Sequence, residues 1–334
     1  MRLRKYIIAA ISIIVLLLGS RAGYGQHDSS IRTLFRISHD NDFINLRLKP
    51  SDEAYTAGLR LDYFRVRNQR SGLFSFLPRA GQESVNTDGW SLMQVMYSPR
   101  DIERRIPDST DYPFSGGLFV TRSLHSSNPV KKYSLRSEIL AGVMGPPSLA
   151  KQSQRFVHRL IGYLEPRGWD YQLKTDLLLN IGFTAEKMIH DAAKGFEIIG
   201  GADARAGTMY NAASAYVIFR AGQQEAYFNG LIPQVMASGV SRKANFCFLV
   251  IPRAEVLFYN ALIDGGLLRR WSGREIAREK RPAFTTTEFS LGLSYGVSFA
   301  WKKIGASVMQ HMIRSATEDL GLQEFGNISV YFSF

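Results

Sequence analysis

Three polar clusters in the first half of the chain carry side chains suited to chemistry, and the first of them is acidic. It spans His39 to Phe43, with the sequence HDNDF, and is followed by AYTAG at 54–58. Asp40, Asn41 and Asp42 offer hard oxygen ligands, which together with loop carbonyl groups can hold a calcium ion. Clusters of Asp and Asn are also ordinary turn formers, so this segment alone leaves both interpretations open.

The second cluster is basic and extends from Arg100 to Gly116, with the sequence RDIERRIPDSTDYPFSG. Arg100, Arg104 and Arg105 can bind phosphate groups of a lipid, because the guanidinium fork matches phosphate oxygens. A solvated basic loop would have the same composition, and this alternative also stays open.

The third cluster belongs to a short helix predicted within 145–169, where Ser148 follows two prolines and can cap the helix. Gln154 and His158 are four residues apart and project together from one side of this helix. A neutral imidazole suits a general base that takes a proton from water, and a nearby cation would stabilise the oxyanion of an ester. Among the other histidines, only His39 beside the acidic cluster rivals His158. The apolar residues on the opposite side of the helix are Phe156, Val157, Leu160, Ile161 and Leu164.

Long alternating segments are the elements that must position these clusters. In the clearest example, every second residue from Phe289 to Trp301 is apolar, and the residues between them are small or polar. Strands of about ten or more residues with one continuous apolar face predict a transmembrane β-barrel that faces lipid. A soluble β-sandwich would use shorter strands. Outside the first 25 residues, no apolar run approaches the roughly 18 to 20 residues of a membrane-spanning helix, which excludes a polytopic helical protein.

We therefore predict an all-β fold, a transmembrane antiparallel β-barrel of about twelve strands with a short helix in an outer loop. The predicted strands lie near 31–41, 54–66, 88–97, 114–124, 132–144, 170–186, 194–208, 211–222, 244–258, 284–300, 302–315 and 322–334. An even number of strands puts both termini on the periplasmic side, so all three clusters fall on the outer rim. The long connections 67–87 and 223–243 then face the periplasm, where short turns are expected.

Both ends of the chain indicate export to the bacterial outer membrane. Residues 1–25 have the basic start, apolar centre and small final residues of a signal peptide, which leaves 26–334 as the barrel. The last strand ends on Phe334, a C-terminal signal typical of outer-membrane barrels. The net charge of +12 falls to about +8 without the four basic residues of 1–25. On an exported protein this charge favours anionic lipid over nucleic acid as a partner, and a merely solvated surface is the alternative.

Several blocks in a fixed order carry a resemblance to a known family. HDNDF and AYTAGL, then MYSPRDI and DYPFSG, then GVMGPPSL, QRFVHR and GW resemble the outer-membrane lipid A 3′-O-deacylases, which are calcium-dependent barrel esterases of twelve strands. The blocks cover about Leu34 to Gly222, and barrel pattern alone continues to Phe334. The resemblance implies removal of the 3′-linked acyloxyacyl group of lipid A, the membrane anchor of lipopolysaccharide, at a site on the outer-leaflet side.

The resemblance also implies roles for individual residues. His158 would activate water, Asn41 and Thr56 would shape the oxyanion and metal environment, Asp42 would help to hold Ca²⁺, and Arg104, Arg105 and Gln154 would contact the substrate. Two positions depart from the resemblance. Tyr112 stands where the family often has an arginine, and Leu164, next to Glu165, stands where a well-known member has an acidic residue. A non-catalytic barrel, either a pore or a lipid-binding homologue, and a barrel phospholipase using Ser148 as nucleophile are the alternative functions.

Overall fold

Residues 32–44, 54–67, 76–108, 111–192, 195–223, 225–229, 244–272, 288–315 and 322–334 are described by the computed structural model. The predicted signal peptide, 1–25, lies outside these ranges, so its existence stays a prediction.

Twelve antiparallel strands form one closed barrel in which each strand pairs with its neighbours in sequence and the last pairs with the first. The strands are β1 (Thr33–Asn41), β2 (Ala54–Val66), β3 (Val85–Ser98), β4 (Ser115–Asn128), β5 (Tyr133–Met144), β6 (Asp176–Ala192), β7 (Phe196–Gly207), β8 (Tyr210–Gln223), β9 (Asn245–Asn260), β10 (Glu288–Trp301), β11 (Ile304–Ser315) and β12 (Leu322–Ser333). The predicted fold class and strand number are confirmed. Closure leaves no strand edge, as a sheet in hydrocarbon requires.

Alternation along the strands separates a lipid-facing surface from the lumen. On β6 the side chains of Leu177, Leu179 and Ile181 are exposed, and Ile181 reaches 63%. On β10 the apolar set beginning at Phe289 is likewise turned outward. The predicted outward face of β10 is therefore correct, and β6 has the same alternation.

The predicted start of β6 at residue 170 is wrong, because the strand begins at Asp176. Gly168–Tyr171 forms a 3₁₀ turn instead, and Leu173 packs into an apolar cluster beneath the loops. Alternation of apolar residues over 171–175 therefore reflects packing of a loop, which sequence periodicity cannot distinguish from a strand.

The lumen is filled with paired polar side chains. Arg36 and Arg60 both contact Asp62, at 2.6 and 2.7 Å, and Ser91 donates a hydrogen bond to the same carboxylate. Such pairing compensates the cost of burying charge. The interior of the barrel is therefore packed.

The described parts of the two long connections, 76–84 and 225–229, pack into the end of the barrel where β1 begins and β12 ends. Residues Tyr227–Asn229 form a 3₁₀ turn, and Tyr227 and Phe228 are buried in a cluster with the inward-facing Cys247. Ser127 of β4 donates to the carbonyl of Phe228 at 2.9 Å. Ala80, from the other long connection, is also buried there and donates to the hydroxyl of Ser126 at 2.8 Å.

Among the described residues, three α-helices lie at the opposite end: α1 (Ala150–Ile161), α2 (Ala261–Asp264) and α3 (Leu267–Trp271). None of the helices in the described ranges is both long and apolar enough to cross a bilayer. The predicted helix is α1, but Ser148 is not its N-cap. Pro146–Ser148 forms a 3₁₀ turn. The N-cap is instead Leu149, whose φ of 60° is left-handed, and α1 begins at Ala150.

Candidate functional site

The helix α1 is held against the outside of the barrel wall. Gln94 and Ser98 of β3 lie on the same outward face as the exposed Leu92. Gln94 donates to the carbonyl of Ser148 at 2.6 Å, and Gln154 of α1 donates to the hydroxyl of Ser98 at 3.0 Å. The helix therefore covers the lipid-facing side of the wall at the loop end, and the lumen lies behind it.

A glycine permits this close approach of helix and wall. A Cβ added to Gly116 of β4 would lie 2.3 Å from the Cβ of Ala150 and 2.5 Å from the hydroxyl of Ser148. Any side chain at this position would push the start of α1 away from the sheet. Gly116 is the last residue of the DYPFSG block, and packing explains why a glycine is needed there.

Gln154 fixes the middle of α1 through both ends of its amide. Its nitrogen donates to Ser98, and its oxygen accepts a 2.6 Å hydrogen bond from the indole N–H of Trp169. Gln154 is 3% exposed, and the buried Trp169 ring packs on Phe114 at 5.0 Å. The structure thus gives Gln154 a positioning role. Its predicted contact with substrate stays untested.

His158 lies one turn further along α1 and is 7% exposed. Its Nδ1 is 2.6 Å from the main-chain carbonyl oxygen of Leu164. Because a carbonyl can only accept, Nδ1 carries the proton and the neutral ring keeps its lone pair on Nε2. Leu164, where the resemblance leads us to expect an acidic residue, orients the imidazole through its main chain.

Tyr163 connects His158 to the acidic cluster. Its ring contacts the imidazole edge-on at 5.2 Å and lies 6.3 Å from the ring of Phe43. Phe43 directly follows Asp42, so the β1–β2 loop and α1 meet at this tyrosine. Sequence reasoning missed Tyr163, for which the only signal is its place after the helix-ending Gly162.

Asn41, Asp42 and Thr56 lie together at the start of the β1–β2 loop. The amide N–H of Asp42 donates to the carbonyl of Thr56 at 3.1 Å, and the side-chain oxygen of Asn41 accepts from the N–H of Phe43 at 2.8 Å. Asp42 and Thr56 are both buried. Asn41 pairs with Ala57 of β2, just beyond an irregularity in the strand. The structure thus places three predicted site residues beside each other.

Asp40 and His39 have other surroundings. Asp40 accepts hydrogen bonds from the hydroxyl of Tyr55 at 2.8 Å and from the amide of Asn327 at 2.5 Å. These contacts bind Asp40 to neighbouring strands. His39 is exposed on the wall in register with the apolar Leu59. Of the two rival histidines, His158 is the one that Tyr163 joins to the β1–β2 loop.

The basic pair lies on the β3–β4 loop at the same end of the barrel. Arg104 and Arg105 are exposed, and Arg104 contacts Asp108 at 3.4 Å. The loop is held to the segment after α1, because the N–H of Arg167 donates to the carbonyl of Ile102 at 2.8 Å. Both guanidinium groups are therefore accessible to an anion next to α1.

Tyr112, which replaces the arginine of the family pattern, is a structural residue. Its ring is buried, and its hydroxyl accepts a 2.7 Å hydrogen bond from Gln323 of β12. The tyrosine side chain therefore connects the β3–β4 loop to β12, the last strand of the barrel.

The donor chemistry at the β1–β2 loop suits a hard cation. Asp42, Asn41 and Thr56 supply carboxylate, amide and hydroxyl oxygens, which are ligand types that calcium prefers. Within the described residues, no group of three or more His, Cys, Asp or Glu side chains is placed to hold a metal ion. A calcium ion here would therefore depend on one carboxylate and on neutral oxygens.

A family model matches nearly the whole chain, and a solved structure shares the fold. The model of the family described as outer membrane protein LpxR matches residues 9–334. The structure of LpxR from Salmonella typhimurium is similar with a TM-score of 0.69 and 16% identity, covering 90% of this chain and 100% of that one. The β domain of the Bordetella autotransporter BrkA gives a TM-score of 0.45 at 10% identity, covering 91% and 99%. No curated protein sequence matches the chain.

Proposed function

Because the chain belongs to the LpxR family, the lipid A 3′-O-deacylases of the bacterial outer membrane, we propose that it hydrolyses the 3′-linked acyloxyacyl ester of lipid A. The observation that carries this proposal is the junction at Tyr163, where the ring contacts both His158 and Phe43. This junction joins the candidate base to the loop of Asn41 and Asp42. The site would lie on the outer-leaflet side of the membrane, where lipid A resides.

His158 is the proposed general base. Its Nδ1–H is held by the carbonyl of Leu164, so Nε2 is the nitrogen that accepts a proton from water. The water oxygen then bonds to the ester carbonyl carbon and gives a tetrahedral oxyanion. Fixing the tautomer through the second ring nitrogen is a common way to orient such a base.

Collapse of the tetrahedral intermediate completes the reaction. The bond from the carbonyl carbon to the sugar 3′-oxygen breaks, and the departing alkoxide takes the proton from the His158 imidazolium. The products are a free acyloxyacyl fatty acid and lipid A with a 3′-hydroxyl group. No redox partner is required.

Ca²⁺ is the proposed cofactor, with Asp42 as the charged ligand and with Asn41 and Thr56 contributing neutral oxygens nearby. When bound, the ion would supply positive charge that stabilises the developing oxyanion. The same polar groups orient the ester beside His158. Arg104 and Arg105 are proposed to bind the sugar phosphate, since both are exposed next to α1.

The test is mass spectrometry of lipid A from cells that produce the protein with calcium supplied. We expect wild type to remove the 3′ acyloxyacyl group and His158→Ala to lower the rate by about 10²–10⁴-fold. His39→Ala, which changes the exposed wall histidine, is the matched control and should keep full activity. Unchanged lipid A in the wild type, or full activity in His158→Ala, would contradict the proposal.

A phospholipase mechanism through Ser148 receives no support from the geometry. Ser148 is completely buried, and its hydroxyl donates to the carbonyl of Gly145 at 2.6 Å. A nucleophile needs a base as hydrogen-bond partner and access to the ester.

A further inference from the structure

The helix α1 buries its polar side chains and exposes its apolar ones. Gln154 and His158 lie against the barrel, whereas Phe156 is 68% and Leu160 73% exposed. A helix on a protein surrounded by water has the opposite arrangement, with its apolar stripe toward the core. These exposures are at least as large as that of Ile181 on the lipid-facing wall.

The exposed part of α1 has two edges of different chemistry. Successive residues turn by about 100° around a helix axis, and the face toward the wall is formed by Ala150, Gln154 and His158. One edge beside this face is apolar, and the other is basic. The apolar edge consists of Phe156, Val157, Leu160 and Ile161, and the basic edge consists of Lys151, Arg155 and Arg159.

Contacts along α1 show that its axis runs around the barrel. The helix begins at Gly116 of β4, contacts Ser98 of β3 at Gln154, and ends near Tyr163, which contacts Phe43 of the β1–β2 loop. It thus crosses successive strands and does not follow one of them. One edge of such a helix points along the wall toward the bilayer centre, and the other points toward the rim.

The wall next to α1 is a lipid-facing surface. Leu92 of β3 and its cross-strand partner Val120 of β4 are exposed on the outward face. Both lie further from the loop end than the Gln94 and Gly116 positions that α1 covers.

The basic edge meets the loop segment after α1, because Lys151 pairs with Asp170 at 2.6 Å and Arg155 donates to the carbonyl of Pro166 at 3.4 Å. The opposite, apolar edge is therefore the one that continues into the surface that faces acyl chains. This continuity selects lipid as the partner of the exposed edge.

We propose that α1 is an interfacial helix whose apolar edge is immersed in the acyl chains of outer-leaflet lipid, while its basic edge lies at the level of the lipid phosphates. Helices of this kind carry basic residues on the polar face and large apolar residues on the other. If the proposed function is correct, this depth places His158 where a sugar meets its acyl chains, which is the level of the ester.

Depth-dependent quenching tests the position of α1. Cys247 is buried and is the single cysteine of the chain, so a Cys247→Ser background accepts one fluorescent label. The labelled variants are Leu160→Cys on the apolar edge and Arg159→Cys on the basic edge. Each is placed in phosphatidylcholine vesicles spin-labelled either on the acyl chain or on the headgroup.

We expect the label at position 160 to be quenched at least twofold more by the acyl-chain spin label than by the headgroup label, with the reverse order at position 159. Ile181→Cys on the wall and Glu103→Cys on the β3–β4 loop give the lipid and water references. Quenching at 160 by aqueous iodide to the extent seen at 103 would overturn the proposal.

Two features keep the experiment decisive. Phe156→Cys repeats the measurement on the apolar edge if Leu160→Cys fails to give a heat-modifiable barrel. Quenching needs no turnover, so a protein without deacylase activity would still report the depth of α1. An active protein with α1 in water would refute the interfacial position of the helix and leave the proposed deacylase function standing.

Discussion

Individual hydrogen bonds hold the side chains of the candidate site in place, and those of Gln154 are the clearest example. It sits one helical turn before His158 and has the indole of Trp169 on one side and the hydroxyl of Ser98 on the other. The order of residues predicts that Gln154 and His158 share a helix side. Which side chains meet them cannot be deduced from periodicity, because Ser98 and Trp169 are distant in sequence.

Replacing Gln154 by Leu should detach α1 from the wall without unfolding the barrel. Two buried polar groups would lose their partner, at a cost of about 1–3 kcal/mol each. We expect faster amide exchange in α1 and at least a tenfold loss of lipid A deacylation. Gln152→Leu, which changes an exposed glutamine of the same helix, should alter neither. Normal protection of α1 in Gln154→Leu would show that these hydrogen bonds do not hold the helix.

Asp42→Asn should weaken the proposed calcium site while preserving side-chain volume. Removing the only carboxylate of the proposed ligand set should raise the calcium concentration needed for half-maximal deacylation by at least tenfold, because a doubly charged ion loses its charged ligand. Deacylation measured across a calcium series provides the test. Asp101→Asn changes an exposed carboxylate on the β3–β4 loop and serves as control. Equal calcium dependence in all three proteins would remove Asp42 from the site.

Packing of whole elements explains what sequence patterns predicted well and what they did not. The apolar alternation of β10 depends only on local side-chain direction and contact with lipid, so its outward face was predicted correctly. The pattern of α1 predicted a two-sided helix. The pattern could not indicate that the polar side faces the protein. In water the apolar side would pack against the protein, whereas in a membrane it can face lipid acyl chains instead.

The close contact between α1 and β4 depends on the absence of a side chain at Gly116. Gly116→Ala should displace the start of the helix, since the new Cβ would lie 2.3 Å from that of Ala150. We expect at least a tenfold loss of deacylation, while heat-modifiable migration on gels stays normal. Gly182→Ala is the matched control, because a Cβ there meets its nearest atom at 3.6 Å. Full activity of Gly116→Ala would mean that the helix can shift without consequence.

On the scale of the whole molecule, the barrel interior is packed and the candidate site lies on the outer surface of the wall. The lumen contains ion pairs such as Arg36–Asp62, and one end holds Tyr227 and Phe228. The even strand count predicted which loops share an end. The sequence did not reveal that 225–229 folds into the lumen, since a short buried turn leaves no repeating pattern of apolar and polar residues.

The purified protein should therefore show no persistent conductance in planar bilayers. Tyr227→Ala combined with Phe228→Ala should increase conductance, because it removes two large rings from the terminal end of the lumen. Phe76→Ala, at an exposed position of the other long connection, should not. A steady wild-type channel current would instead favour the pore alternative.

The placement of α1 on the outer surface of the wall has a kinetic consequence. A substrate that meets His158 from beside the barrel arrives by lateral diffusion, in two dimensions, and never crosses an aqueous compartment. Turnover should then saturate with the mole fraction of lipid A in the leaflet and stay constant when vesicles are diluted. The protein would behave as an interfacial enzyme, whose rate depends on the concentration of substrate in the membrane and not on its concentration in the bulk solution.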